Sequence, residues 1–74
     1  MPMTPMTIYP FRTSTYARNI YLLGIVTFPE ISQDYVEPVK EYAALHYTLA
    51  QIDNALAQGW ITQQEYDDTI AYLQ

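Results

Sequence analysis

The 74-residue chain contains no cysteine and a single histidine, His46. A disulfide framework is therefore impossible, and zinc or iron–sulfur coordination by a Cys/His set is excluded. Basic residues are nearly as scarce: Arg12, Arg18 and Lys40 stand against eight Asp and Glu, for a formal net charge of −5. No basic patch is available to neutralise phosphates, which argues against direct nucleic-acid binding. The acidic balance raises the idea of a DNA mimic, but the carboxylates are few, and helix capping and solvation account for their positions. Long hydrophobic runs are also missing. The apolar stretch at residues 20–26 falls far short of the roughly 20 residues that span a bilayer. Residues 1–7 lack a basic segment followed by an apolar run, and Pro2, Pro5 and Pro10 interrupt any helix there, so no signal peptide is expected.

Catalytic groups are equally sparse. Ser14 and Ser32 are the only serines, neither in a nucleophile-elbow sequence, and the only two glycines serve as helix stops rather than as a phosphate loop. His46 reads as a helix-face histidine near a C-terminus, where the helix dipole favours it. Asp67 and Asp68 are adjacent, so on a helix they do not converge on one ion, and both this pair and Glu37 with Glu41 read as solvated surface. The expectation is a protein that is not an enzyme and binds no cofactor or metal.

What the chain does contain is a repeated turn. Gly24-Ile25-Val26-Thr27-Phe28-Pro29-Glu30-Ile31 recurs 35 positions later as Gly59-Trp60-Ile61-Thr62-Gln63-Gln64-Glu65-Tyr66, and Thr13/Thr48 and Asn19/Asn54 keep that offset. Each copy reads as a helix stopped by glycine, two apolar residues, and a Thr-x-x-Glu box that starts the next helix. The structural turn residues are therefore Gly24, Thr27 and Glu30 in the first copy and Gly59, Trp60, Thr62 and Glu65 in the second. The predicted fold is all-α, two helix-turn-helix hairpins of about four short helices, with an extended N-terminal arm at residues 1–12 and one helical domain at 13–74.

Within that frame the first helix is expected from Ser14 or Thr15 to Leu23, capped from Thr13, Ser14 or Thr15 and presenting Tyr16, Ile20 and Leu23. Thr27 with Glu30 is expected to open the second, whose apolar stripe is Ile31, Tyr35, Val39, Tyr42 and His46, with a kink or break at Pro38. Thr48 with Gln51 opens the third, which presents Leu49, Ile52, Ala55 and Leu56. Thr62 with Glu65 opens the last, which presents Tyr66, Ile70 and Leu73.

Eight tyrosines are more than a core of this size can comfortably enclose, since folding at about 60 residues buries only about 60% of the unfolded chain's surface. Some are expected at an interface, where an amphipathic ring suits a surface wet on one side. The expected partner or oligomer contacts are Ile8, Tyr9, Phe11, Tyr16, Tyr21 and Phe28.

The run Tyr47-Thr48-Leu49-Ala50-Gln51-Ile52, then Ala55-Leu56, then Gly59-Trp60-Ile61-Thr62-Gln63-Gln64-Glu65-Tyr66-Asp67-Asp68-Thr69-Ile70 resembles the XkdX family of small phage and prophage proteins. The likeness spans residues 42–72 and leaves the N-terminal half uncovered. It implies a non-catalytic protein of the phage tail or baseplate, structural or a chaperone in assembly, residing in the host cytoplasm, the virion or both. Its partners would be further copies of itself or tail-tip and fibre proteins, with no nucleic acid and no membrane. The alternative is a small phage-encoded inhibitor of a host or defence protein. The resemblance carries no catalytic or ligand residues to this chain.

Overall fold

The structure is a computed structural model and describes residues 8–73. Four α-helices account for most of it: α1 at Pro10–Arg18, α2 at Val36–His46, α3 at Leu49–Ala57 and α4 at Gln63–Ala71. The fold is all-α. α1 packs on α2 and α3 on α4, while α2 also carries α4 and the end of the first helix lies on α3. The two hairpins thus share one core, built from Ala17, Ile20, Tyr21, Phe28, Ile31, Tyr35, Val39, Ala43, Ile52, Ala55 and Ile61.

The first helix starts four residues earlier than Ser14. Pro10 occupies its first turn, where a missing N–H costs nothing. The Tyr35 hydroxyl, 26 residues away, accepts the Tyr9 N–H at 3.1 Å. Thr13, Ser14 and Thr15 therefore do not cap the helix; their hydroxyls bond back to the carbonyls of Tyr9, Phe11 and Phe11. Of the predicted arm, residues 10–12 are helical, and residues 1–7 lie outside the described residues.

After Arg18 the helix widens into a π-helical stretch, Asn19–Leu23, that ends at Gly24 in the left-handed conformation. The Ile25 N–H reaches back to the Asn19 carbonyl. At the second turn the Trp60 N–H bonds Ala55 and the Gly59 N–H bonds Leu56, a Schellman closure. The first turn is thus the second with one extra residue in the loop. That extra residue rotates the apolar face: Ala17, Ile20 and Tyr21 are buried, and Leu23, expected inward, is exposed.

Thr27 and Glu30 do meet, the Glu30 carboxylate accepting both the backbone N–H and the hydroxyl of Thr27. They open only a short 3₁₀ turn, Phe28–Glu30, followed by another at Gln33–Tyr35. α2 begins at Val36, so Pro38 is its third residue rather than a break, at a position whose N–H has no intrahelical acceptor. Its buried face is Val39, Lys40, Ala43 and Ala44; His46, expected on that stripe, is exposed. α3 and α4 are capped as their Thr-x-x-Gln and Thr-x-x-Glu boxes require, with both reciprocal bonds formed in each. On α3, Ile52 and Ala55 are buried but Leu49 is exposed; on α4, Thr69 rather than an apolar residue reaches the core, and Leu73 beyond it is exposed.

The two glycine turns touch. A Cβ on Gly24 would lie 2.2 Å from Cε2 of Trp60, so the Trp60 indole rests directly on the Gly24 backbone and joins the hairpins at their turns. Around Gly59 the same position is open space.

Candidate functional site

Side chains that expose apolar surface gather where α1 begins beside α2. Ile8, Pro10 and Thr13 form one wall of a groove of about 370 Å³, and Pro38, Glu41, Tyr42, Leu45 and His46 form the other. Pro10 and Pro38 are first-turn residues of their helices, placed by the requirement that a proline in a helix sit where no N–H is needed. The Tyr42 and His46 rings, one helical turn apart, lie 4.2 Å apart by centroid and make an aromatic ledge. Leu45, 68% exposed, stands at its end.

The residues expected to make contacts divide in two. Ile8 lines the groove, while Tyr9 and Phe11 beside it are exposed, Phe11 by 66%, with their rings 5.7 Å apart. Arg12 lies over the Tyr9 ring at 5.9 Å, a cation–π contact. Tyr16 is half-buried and meets Tyr35 edge to face. Tyr21 and Phe28 are corrections to the expectation: both are core residues, 0% and 3% exposed, packed edge to face on each other. An amphipathic ring can satisfy its hydroxyl inside the fold as readily as at an interface, and sequence does not say which.

The Tyr21 hydroxyl meets Thr69 Oγ1 at 2.5 Å. Thr69 spends its one hydroxyl proton on the Glu65 carbonyl at 2.8 Å, so Tyr21 is the donor and Thr69 the acceptor. Burial, reinforced by Glu65, Glu37 and Asp68, pushes the Tyr21 phenol far above its ordinary range. From Tyr21 a row of rings runs outward through Tyr47 and Tyr42 to His46 in the groove.

Lys40, given no role by the sequence reading, is 5% exposed. Its ammonium bonds Asp68 at 2.9 Å and Glu37 at 3.3 Å and lies 5.4 Å from the Phe28 ring centre. Burial works against its charge, but the bonds to Asp68 and Glu37 outweigh it and hold the group above the ordinary lysine range. An amine held charged in this way lacks the lowered pKa that a lysine nucleophile needs. Asp68 and Glu37 are therefore not simply solvated surface, as expected of them; Glu37 also accepts the Tyr72 hydroxyl at 2.8 Å. The signal for Lys40 was present: Val36, Val39, Lys40, Ala43 and Ala44 follow the i, i+3, i+4, i+7, i+8 pattern of a buried face.

Among the described residues no group of three or more His, Cys, Asp or Glu is placed to hold a metal ion, and no helix is long and apolar enough to cross a membrane. Comparison with protein-family models, with curated proteins and with solved structures finds no match to this chain.

Proposed function

We propose that this chain acts through protein contact rather than catalysis, as a small structural or assembly (chaperone) protein of a phage tail or baseplate. The observation that carries the contact half of the proposal is the groove between α1 and α2, with Ile8, Tyr9, Phe11 and Leu45 exposed on or beside it and Tyr42 half-buried in its wall. Exposed aromatics beside a concave apolar floor form the kind of patch that protein interfaces bury. The phage half rests on the resemblance of residues 42–72 to the XkdX family. The partner is a further copy of the chain or a tail-tip or fibre protein, met in the host cytoplasm, the virion or both.

The test is light scattering over a concentration series on the intact chain and on Phe11→Ser/Leu45→Ser, whose altered residues are exposed, so that the fold survives. A discrete oligomer that dissociates in the variant supports self-assembly through the groove. Co-purification with intact particles at fixed stoichiometry supports a virion component, and absence from particles an assembly helper. A monomer that instead captures a host or defence enzyme through the same face refutes the tail reading in favour of an inhibitor.

A further inference from the structure

Along Gln63–Ala71 the only fully buried residue is Thr69, a polar one, with Tyr66 and Ile70 half-buried beside it. α2, by contrast, buries Val39, Ala43 and Ala44. Besides the packing of Tyr66 and Ile70 against the core, what ties α4 and the turn after it to the body is a set of side-chain polar contacts, each to a different point. Thr69 takes the Tyr21 hydroxyl of the π-helical stretch, Asp68 takes the Lys40 ammonium of α2, Tyr66 donates to Asp53 of α3 and Tyr72 to Glu37 of α2. The Tyr21–Thr69 bond alone is buried; the other three are exposed or part-buried and individually worth little where water can replace them. Just before α4 the chain is fixed firmly: Ile61 is 3% exposed and Trp60 lies on Gly24. Thr62, the cap that follows, is exposed.

We infer that α4 is a latch that undocks as a unit about Thr62, uncovering the Tyr21 hydroxyl and the Lys40 ammonium, while α1, α2 and α3 keep their fold. Local opening of this kind selects elements with few buried apolar contacts and partly exposed bonds. Trp60 and Ile61 stay behind as anchors, so the glycine–indole contact survives the opening. The charges facing the latch are Glu65, Asp67 and Asp68 from α4 itself, Glu37, Lys40 and Glu41 from α2 and Asp53 from α3, with Tyr21, Tyr66 and Tyr72 as phenols. Asp68 gains from Lys40 and Gln64 and is held below the ordinary carboxylate range. Its share of the latch is complete above that range and is lost as pH falls through its lowered value.

Native-state hydrogen exchange on the intact chain tests the inference, with Asp68→Asn as the second sample. The expected result is that the α4 amides from Asp67 onward open at least about tenfold more often than those of α2 and of the π-helical stretch. Asp68→Asn should lower protection in α4 severalfold and leave α2 unchanged, and acidifying the wild-type protein through the carboxylate range should do the same once exchange is corrected for its slower intrinsic rate in acid. The inference is overturned if α4 and α2 amides exchange through one opening with the same denaturant dependence, or if Asp68→Asn accelerates both alike.

Discussion

Replacing either partner of the buried Tyr21–Thr69 bond destabilises the fold, but the two halves are unequal. Tyr21→Phe removes the donor. Thr69 Oγ1 then keeps its bond to the Glu65 carbonyl, so only one hydrogen bond is lost and the cost is about 1 kcal/mol. Thr69→Val removes the acceptor and leaves the phenolic O–H of a residue that is 0% exposed without a partner. An unsatisfied buried donor costs its full desolvation, so this variant loses about 2 kcal/mol or somewhat more. In the double variant no stranded donor remains, and its cost should fall back to about 1 kcal/mol, giving a coupling of about 2 kcal/mol between the sites. Urea denaturation followed by circular dichroism and by the fluorescence of Trp60, the only tryptophan, measures all three. Additive costs, or a Thr69→Val variant more stable than Tyr21→Phe, would refute both the donor assignment and the claim that the hydroxyl is sealed from water.

Gly24→Ala should cost well over 2 kcal/mol, combining a left-handed backbone with a methyl driven into the Trp60 ring, whereas Gly59→Ala, strained in backbone but free of contacts, should cost about 1 kcal/mol; equal midpoint shifts in denaturation would contradict the packing. Trp60→Ala should cost about 2–3 kcal/mol, below the range for a fully buried tryptophan, because the ring is only half-buried. Lys40→Met should leave stability at pH 7 within about 1 kcal/mol, since a buried charge is exchanged for an apolar side chain of similar length and its carboxylate partners regain water. The same variant should change the pH profile. Lys40 and Tyr21 are both raised in the folded chain, so each contributes stability that is complete below its ordinary value, about 10, and is lost as pH climbs through the raised one. Thermal melts between pH 9 and 11.5 should therefore fall steeply in the wild-type chain and less so in Lys40→Met.

Local chemistry made part of this molecule legible in the sequence. The Thr48/Gln51 and Thr62/Glu65 boxes, the two positive-φ glycines and the all-α fold depend on bonds between residues three to six apart, and the letters that supply those bonds stand side by side in the chain. Pro10 and Pro38 show where locality stopped being enough. Pro10 is expected to interrupt any helix and Pro38 to kink or break one, yet each sits in a first turn, because a proline forbids an interior position without choosing between a break and a start. Tyr35 fixes the beginning of α1 from 26 residues away, and no window along the sequence contains that bond. The same limit applies to the contact residues. Ile8, Tyr9 and Phe11 are exposed, Tyr21 and Phe28 are interior, and their composition is alike. What separates them is the extra residue of the π-helical stretch, which turns Tyr21 toward Thr69, and the arrival of Lys40 of α2 over Phe28, with Asp68 of α4 closing on that lysine. Sequence by itself determined where helices stop and which pairs cap them, since those energies are set within one turn. Which faces became core, which lysine was enclosed and where a groove stayed open were decided only when distant elements competed for the same surface.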